Sequence, residues 1–355
     1  MVSLKKLLSG EKKVVGIDIG STSLKLAEIS GSYEKYTLKK LAQIPLERGV
    51  VENGLLEDPA VFTETIKALL KTSRCKTKNV VTALPGHSVM IKKATFAAAE
   101  EEELYDQIID EAAEYLPLDN IENVDFDLHL IGENEMNPTQ VDVVIAAARK
   151  DVIKSYRDAF KKAGCTIFIL DVDSFALETA YEENYDFEDN DVVVLINMGA
   201  SITNINILKG GGSVFTRNIL QGGDTITDTL KNKLGVSFES AEVVKVSGVE
   251  GQDYTADELI TYGEPIFQEI ERSIDYFVST SGGLFMKHII LSGGCAKIPG
   301  MVTVLSERLH CEIELFDPFK NISCDKKAFP PDYMKDMALV APLAVGLALR
   351  RMDDK

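Results

Sequence analysis

Gly16-Ile17-Asp18-Ile19-Gly20-Ser21-Thr22-Ser23-Leu24-Lys25 is the stretch on which the reading of this chain turns. An apolar, β-branched run, Val14–Ile17, enters a turn of glycine and hydroxyl residues, and a second short apolar run, Leu24–Ile29, leaves it. That is the signature of a β-hairpin. Asn197-Met198-Gly199-Ala200-Ser201-Ile202-Thr203 repeats the pattern between Val192–Ile196 and Ile205–Leu208, and Leu291-Ser292-Gly293-Gly294-Cys295-Ala296 adds a third glycine turn. Glycine puts no Cβ between the backbone N–H groups and an approaching anion. Two such hairpins face to face, with the Ser-Gly-Gly turn beside them, would clamp a nucleoside triphosphate.

Composition narrows the possibilities. The chain has 355 residues, 45% hydrophobic and 26% charged, enough for two or more domains with their own cores. Its net charge of −18 argues against a nucleic-acid partner, which demands a basic face, and against adsorption or direct insertion at an anionic membrane. Cys75, Cys165, Cys295, Cys311 and Cys324 are scattered and odd in number, as in a reducing cytoplasm. Met1–Gly10 lacks the apolar core of a signal peptide. The longest apolar stretch, Met337–Leu349, contains Pro342 and Gly346 and falls short of the roughly 20 residues of a bilayer span. Ala338, Pro342, Val345 and Leu349 recur at helical spacing, so a buried C-terminal helix is expected there.

Along the chain, strand and helix alternate, which gives an α/β class with mixed sheets covered by helices. Residues 1–87 hold the first hairpin, an amphipathic helix over Asp58–Lys71 started by Asp58-Pro59, and a buried strand, Asn79–Leu84. Residues 88–165 read as a small inserted α+β module. It has a strand Met90–Phe96 and a helix Ala99–Leu116, with Leu104, Ile108, Ile109, Ala112 and Leu116 on one face and the acids Glu100–Glu103 at its start. Strands Asn123–Ile131 and Gln140–Ala148 follow, joined by a polar loop Gly132–Thr139, and then a helix Asp151–Gly164. Strand Thr166–Val172 and helix Ser174–Glu183 return the chain to the first domain, over 166–190, which residues 337–355 complete. The acidic break Asp186–Asp191 marks the main boundary. Beyond it the second half repeats the first in outline, with 191–230 and 274–336 as one subdomain and 231–273 as another.

The three turns resemble the phosphate-1, phosphate-2 and adenosine motifs of the actin/Hsp70/sugar-kinase superfamily. Several further stretches are similar to the PilM family of type IV pilus assembly proteins. They are Glu111-Ala112-Ala113-Glu114-Tyr115-Leu116-Pro117-Leu118, Val124-Asp125-Phe126-Asp127, Val141 to Lys150, Ala163-Gly164-Cys165, and Leu170 to Glu178. The resemblance runs from about Val14 to Arg350, with 88–165 where this family and the divisome relative FtsA carry subdomain 1C. It implies a two-domain, actin-like (ribonuclease-H-like) fold with subdomains 1A, 1C, 2A and 2B, and ATP with Mg2+ in the central cleft. It also implies a cytoplasmic protein, peripheral on the inner face of the inner membrane through its partners. Such a protein binds the cytoplasmic N-terminal peptide of PilN and couples that alignment complex to the other inner-membrane and motor components behind twitching motility.

The same resemblance assigns roles. Asp18 would hold Mg2+, through water, where a lone Asp beside glycine would otherwise read as a turn cap. Gly20, Ser21, Thr22 and Ser23 would offer N–H and hydroxyl groups to β- and γ-phosphates, in bonds worth about 1.5–3 kcal/mol each. Lys25 reads as a phosphate counter-charge or as a solvent-facing strand residue. Asn197, Gly199, Ala200, Ser201 and Thr203 would face the phosphates from the other side. There the chain departs from the family's Asp-x-Gly: Asn197 keeps the shape and an acceptor but loses the charge, so binding should persist while hydrolysis weakens or is lost. Gly222 and Gly223 would complete the phosphate side, or form a plain loop after the Val214–Leu220 strand. Glu239, Glu242 and Lys245 fall on an expected helix, Phe238–Val246. Glu242 and Lys245 share a face and would reach ribose and adenine, or make a surface ion pair. Gly293, Gly294, Lys297 and Ile298 would let adenine slot against backbone, with Cys295 a bystander.

No residue is assigned a catalytic role. A small-molecule kinase of the same superfamily would need a base facing an acceptor hydroxyl. Asp171 and Asp173 are its candidates, although Asp173 also reads as the cap of the next helix. An FtsA-like membrane scaffold would need an amphipathic C-terminal helix, which Arg350-Arg351-Met352-Asp353-Asp354-Lys355 does not resemble.

Overall fold

The computed structural model describes residues 13–32, 35–85, 88–99, 101–110, 123–134, 136–248, 255–281 and 284–350. The chain begins with β1 (Val15–Ile19), β2 (Ser23–Ser30) and β3 (Tyr36–Pro45), a small ribbon β4 (Val51–Glu52) and β5 (Leu55–Leu56), α1 (Pro59–Ser73) and β6 (Asn79–Leu84). A module of β7 (Val89–Ala97), α2 (Glu101–Asp110), β8 (Val124–Asn134) and β9 (Asn137–Arg149) follows. Then come α3 (Lys150–Lys162), β10 (Thr166–Val172) and α4 (Asp173–Glu182). The second half holds β11 (Val192–Met198), β12 (Thr203–Lys209), β13 (Gly212–Ile219), α5 (Gly223–Leu234), α6 (Phe238–Ser247) and α7 (Ala256–Thr280). It closes with β14 (His288–Ser292), α8 (Met301–Leu309), β15 (Ile313–Leu315), β16 (Ile322–Ser323), α9 (Pro331–Ala338) and α10 (Pro342–Leu349).

The two large sheets are built on one plan. The first runs β10-β6-β1-β2-β3-β16 and the second β15-β14-β11-β12-β13. In each, a hairpin continues into a third antiparallel strand, and two parallel strands extend the sheet from the other side of the hairpin's first strand. Both leading strands are buried throughout most of their length, as their unbroken apolar runs require of strands covered on two faces. Helix α10 is buried over all eight residues and lies between the first sheet and α4. It gets that close through glycine: a Cβ on Gly346 would sit 1.7 Å from the Ala176 carbonyl oxygen, and one on Gly16 2.3 Å from that of Ala344. One apolar cluster, with Val81 and Ala83 from the first sheet, Val193, Leu195 and Ile290 from the second, and Leu177 and Leu347 from the helices between, joins the halves.

Local sequence sets many boundaries where expected. The Asp58 carboxylate accepts the N–H groups of Ala60 and Val61 at 3.0 Å and so starts α1, with Pro59 in the first turn. Several boundaries differ. The polar loop expected over Gly132–Thr139 is mostly strand: β8 and β9 pair as far as Asn134 and Asn137. Asn134 supplies the turn by accepting the N–H groups of Met136 and Asn137. Of the helix expected over Ala99–Leu116, Glu101–Asp110 is present, with Leu104 buried and Ile109 51% exposed; Ala112 and Leu116 lie outside the described residues. The C-terminal helix expected from Met337 is two helices, because Pro342 has no N–H to continue the first and starts the second instead.

Three expected subdomain edges also move. Helix α3 belongs with the first sheet rather than the inserted module: Tyr156 and Phe160 each pack edge-on against Phe62 of α1, at 6.0 Å between centroids. The chain re-enters the first half before residue 337, since Ile322 pairs with Tyr36, and Phe319 and Phe329 pack with Leu38. Helix α7 runs through the expected break at 273/274, and from Leu259 to Phe277 it shares the core of the second sheet. Among the described residues no helix is long and apolar enough to cross a membrane.

Candidate functional site

The hairpins place their glycine tips on opposite sides of one cleft. In the first, the Gly20 N–H closes the turn on the Ser23 carbonyl at 3.1 Å; in the second, the Gly199 N–H does the same to Ile202 at 2.9 Å. The tips touch, with the Ser201 and Ser21 hydroxyl oxygens 2.9 Å apart. Gly293 supplies the third side. Its φ of +91° is a conformation only glycine takes without strain, and a Cβ there would lie 2.3 Å from the Met198 carbonyl oxygen. The next residue, Gly294, faces open space. The cleft between them has a volume of about 290 Å3. A larger depression of about 920 Å3 runs along α1 but gathers none of the expected residues.

Most of the sequence-derived set lines this one cleft: Asp18, Gly20 to Ser23 and Lys25 from the first half; Asn197, Gly199 to Ser201, Gly223, Glu242 and Lys245 from the second; and Gly293, Gly294 and Lys297 between them. Three expected residues lie off its wall. Thr203 is buried and donates its hydroxyl to the Gln221 carbonyl. Ile298 is buried in the core of the second sheet. Gly222 is a packing glycine, whose missing Cβ would meet the Gly199 oxygen at 2.5 Å.

Charge is distributed unevenly. Asp18 and Lys25 are directly opposed across β1 and β2 and pair at 3.1 Å with little exposure, so Lys25 is not a solvent-facing strand residue. The matching pair of the second hairpin is Asn197 and Asn204, neutral and joined at 3.3 Å, with Ser292 donating to the Asn197 side-chain oxygen. Lys245 is buried, and its ammonium donates to the Glu242 carboxylate at 2.5 Å, the Thr227 hydroxyl at 2.8 Å and the Gly223 carbonyl at 3.1 Å. Those bonds use all three donors. Lys245 therefore fastens α6 to α5, whereas Glu242 stays 38% exposed. Burial pushes the Cys295 thiol up to about 11, so it remains protonated against the Gly199 carbonyl.

The family described as "Type IV pilus assembly protein PilM" matches residues 16–352. This chain belongs to that family. The solved "PilM-PilN type IV pilus biogenesis complex" contains a chain 26% identical to it, with a TM-score of 0.86, covering 96% of this chain and 99% of that one. Ethanolamine utilization protein EutJ from Carboxydothermus hydrogenoformans (14% identity, TM-score 0.54, 94% and 88% covered) shares the fold. So does MreB5 of Spiroplasma citri, solved bound to AMPPNP (12% identity, TM-score 0.51, 92% and 98% covered). The fold is thus the two-domain, actin-like α/β fold.

The sequence reading of this PilM-family chain missed a second contact between the halves. The Arg48 guanidinium, just after β3, pairs with Asp224 of α5 at 2.7 Å and lies 3.6 Å over the Phe238 ring of α6. Asp224 also accepts from Ser201 at 3.3 Å. No local signal could expose a contact between residues 176 apart in sequence. Of the two kinase candidates, Asp171 is committed to Arg350 at 2.6 Å and Asp173 lines the cleft. Asp173 is not the helix cap; that position is Val172, with no side-chain bond.

Proposed function

We propose that this chain is the ATP-binding component of a type IV pilus assembly machine and that its closed form binds the cytoplasmic N-terminal tail of PilN. The observation that carries the reading is the meeting of the two hairpin tips at Ser21 and Ser201, with Gly293 and Gly294 completing the cleft. A triphosphate laid between the tips would contact both halves at once. Such a ligand biases their relative orientation only through contacts made in one state and not the other, and a two-sided clamp supplies them. Ser21, Thr22, Ser23, Gly199, Ala200 and Ser201 would hold the phosphates; Glu242 and the Gly294 turn would bound the nucleoside end.

Mg2+ fits the donor set in one way. Among the described residues no three acidic, histidine or cysteine groups gather to hold a metal. Mg2+ commonly takes one or two carboxylates, with phosphates and water supplying the rest, and Asp18 is the carboxylate placed for that. The ion would neutralise phosphate charge when bound; Lys25, already against Asp18, would add a second counter-charge. The neutral Asn197–Asn204 pair supports binding with weak hydrolysis. The kinase reading loses ground because Asp171 is taken by Arg350. The subdomain assignment carried by this reading is 1A for the first sheet with α10, 1C for β7 to β9 with α2, and 2A and 2B for the second half. Its place would be the inner face of the inner membrane, held by PilN and linked to the motor components.

The test is a calorimetric titration of a PilN N-terminal peptide into the protein with and without ATP–Mg2+. Tighter binding with nucleotide present is expected. A protein that binds no adenine nucleotide, or that binds the peptide identically in both conditions, would refute the coupling.

A further inference from the structure

We propose that a basic cup at the opposite end of the first sheet from the cleft docks an acidic segment of a partner polypeptide. Among the described residues, Lys13, Lys40, Arg74, Lys76 and Lys78 line a depression of about 540 Å3, with Glu28 as the one acid. Strand register fixes where it lies. Asp18 opposes Lys25 at the cleft end of β1 and β2, whereas Glu28 opposes Lys40 farther along the same sheet, Lys13 lies two residues before β1 and Lys78 immediately precedes β6. The cup is therefore a separate site.

Five cations around one acid among the described residues, on a chain whose net charge is −18, are not an average sample of its surface. Arg74 has a local reason to be there, since it ends α1 and its charge suits the negative end of that helix. Lys13, Lys40, Lys76 and Lys78 have no such reason. Among the described residues none of the five is in an ion pair, and Glu28 accepts a hydrogen bond from the Thr77 hydroxyl. Four of them are exposed, Lys40 is half-buried, and all ring a concave floor.

Shape and range together choose the occupant. A bilayer is flat on this scale and would touch the rim without reaching the floor. It would also present anionic charge to the whole acidic body. A short Asp/Glu-bearing segment fits a concave surface, and with screening over about 10 Å at 0.1 M salt it senses the cup rather than the distant acids. The cup thus takes carboxylates presented on extended chain, with the Lys and Arg side chains as counter-charges.

The experiment uses the full chain and a fluorescein-labelled, Asp/Glu-rich peptide, read by anisotropy at low and high salt. A peptide with Asn and Gln in place of the acids serves as control. The charge-reversed variant Arg74→Glu/Lys76→Glu/Lys78→Glu changes exposed positions remote from the cleft. A neutral set, Arg74→Gln/Lys76→Gln/Lys78→Gln, guards against misfolding of the first. The acidic peptide is expected to bind, to weaken with salt, and to lose about tenfold or more with charge reversal and less with neutralisation, while adenine-nucleotide binding is unchanged. Equal binding by wild type and both variants, or equal binding of the uncharged control, overturns the proposal. So does co-sedimentation with phosphatidylserine vesicles that depends on these residues while the peptide fails to bind, since the cup would then be a lipid site.

Discussion

The two hairpins share a turn, a hydrogen-bond closure and a register, yet differ at one matched pair: Asp18 opposes Lys25 in the first, and Asn197 opposes Asn204 in the second. Both pairs are seven residues apart across a glycine turn. The first places two charges where little solvent reaches them; the second satisfies the same backbone geometry with two amides. Geometry and charge are thus separable in this fold. Both tips can close a cleft, and only one carries ionic groups of its own. Gripping a triphosphate needs both tips, whereas helping a water attack it calls for negative charge at the matched pair that here is neutral.

Neutralising the charged hairpin should therefore have the largest effect. Asp18→Ala leaves Lys25 uncompensated in a site with little solvent, and removing one member of a buried pair costs about 3–5 kcal/mol. Some of that should return in Asp18→Asn/Lys25→Asn, which copies the second hairpin. Thermal unfolding of wild type, single and double variants checks this order. Nucleotide affinity should fall roughly ten- to hundredfold in both, as a lost charge-assisted bond is worth about 1.5–3 kcal/mol. A double variant that binds Mg2+-nucleotide as tightly as wild type would show that the two pairs are equivalent.

The same division between charged and neutral groups recurs behind the hairpins, at Glu178. This α4 residue accepts the Ser213 N–H from β13 at 3.2 Å, and among the described residues its second oxygen is buried without a partner. Burial pushes its carboxyl up to about 8, helped by Glu182 and Asp171 and opposed by Arg350 and the Ser213 bond. Unfolded, it would release its proton near the ordinary glutamate value. Between the two values the folded chain binds more protons, so its stability falls as pH rises, by at most about 1.4 kcal/mol per pH unit from this group. Glu178→Gln should flatten urea midpoints between pH 5 and 8 (roughly the window between the two proton affinities) and raise the midpoint at the alkaline end. An unchanged pH slope would mean that Glu178 is ionised in the folded chain.

Charging the neutral hairpin sharpens the comparison from the other side. Asn197→Asp replaces an amide donor aimed at the Asn204 oxygen with a second acceptor, and Asn204 is not free to turn its amide because it already donates to Asn218. Stability without ligand should drop by about 1–3 kcal/mol. ATP turnover, followed by phosphate release, should rise. Lower stability with no gain in turnover would place the limit on hydrolysis elsewhere than at this missing charge.

How far the sequence carried this reading depends on the range of each signal. The hairpins were legible because β-branched runs and Gly/Ser/Thr turns are local, and α1 because Asp58-Pro59 caps and starts it within four residues. Ile322–Ser323 was not legible: two residues have no periodicity, and their pairing with β3 is made across the molecule. Lys245 read as a ribose and adenine contact, or as a surface partner of Glu242, because helical spacing says which residues share a face, not that Thr227 and Gly223 would enclose the ammonium. Gly222 looked like a phosphate loop because close packing and anion binding both ask for glycine.

The smallest expected effect concerns the contact that the hairpins do not make themselves. Arg48 bridges the halves through Asp224 and the Phe238 ring, but its side chain is 47% exposed. Exposed ion pairs contribute about 0.2–1 kcal/mol, and an exposed cation–π contact about 0.5–1 kcal/mol. Arg48→Ala should therefore lower stability by about 1 kcal/mol. Arg48→Lys should recover less than half of that, because an ammonium cannot both lie flat on the ring and fork toward the carboxylate. The loss should shrink at high salt, where screening weakens the Asp224 pair and leaves the ring contact. A loss several times larger, insensitive to salt, would mean that Arg48, and not the serine tips, sets how the two halves meet.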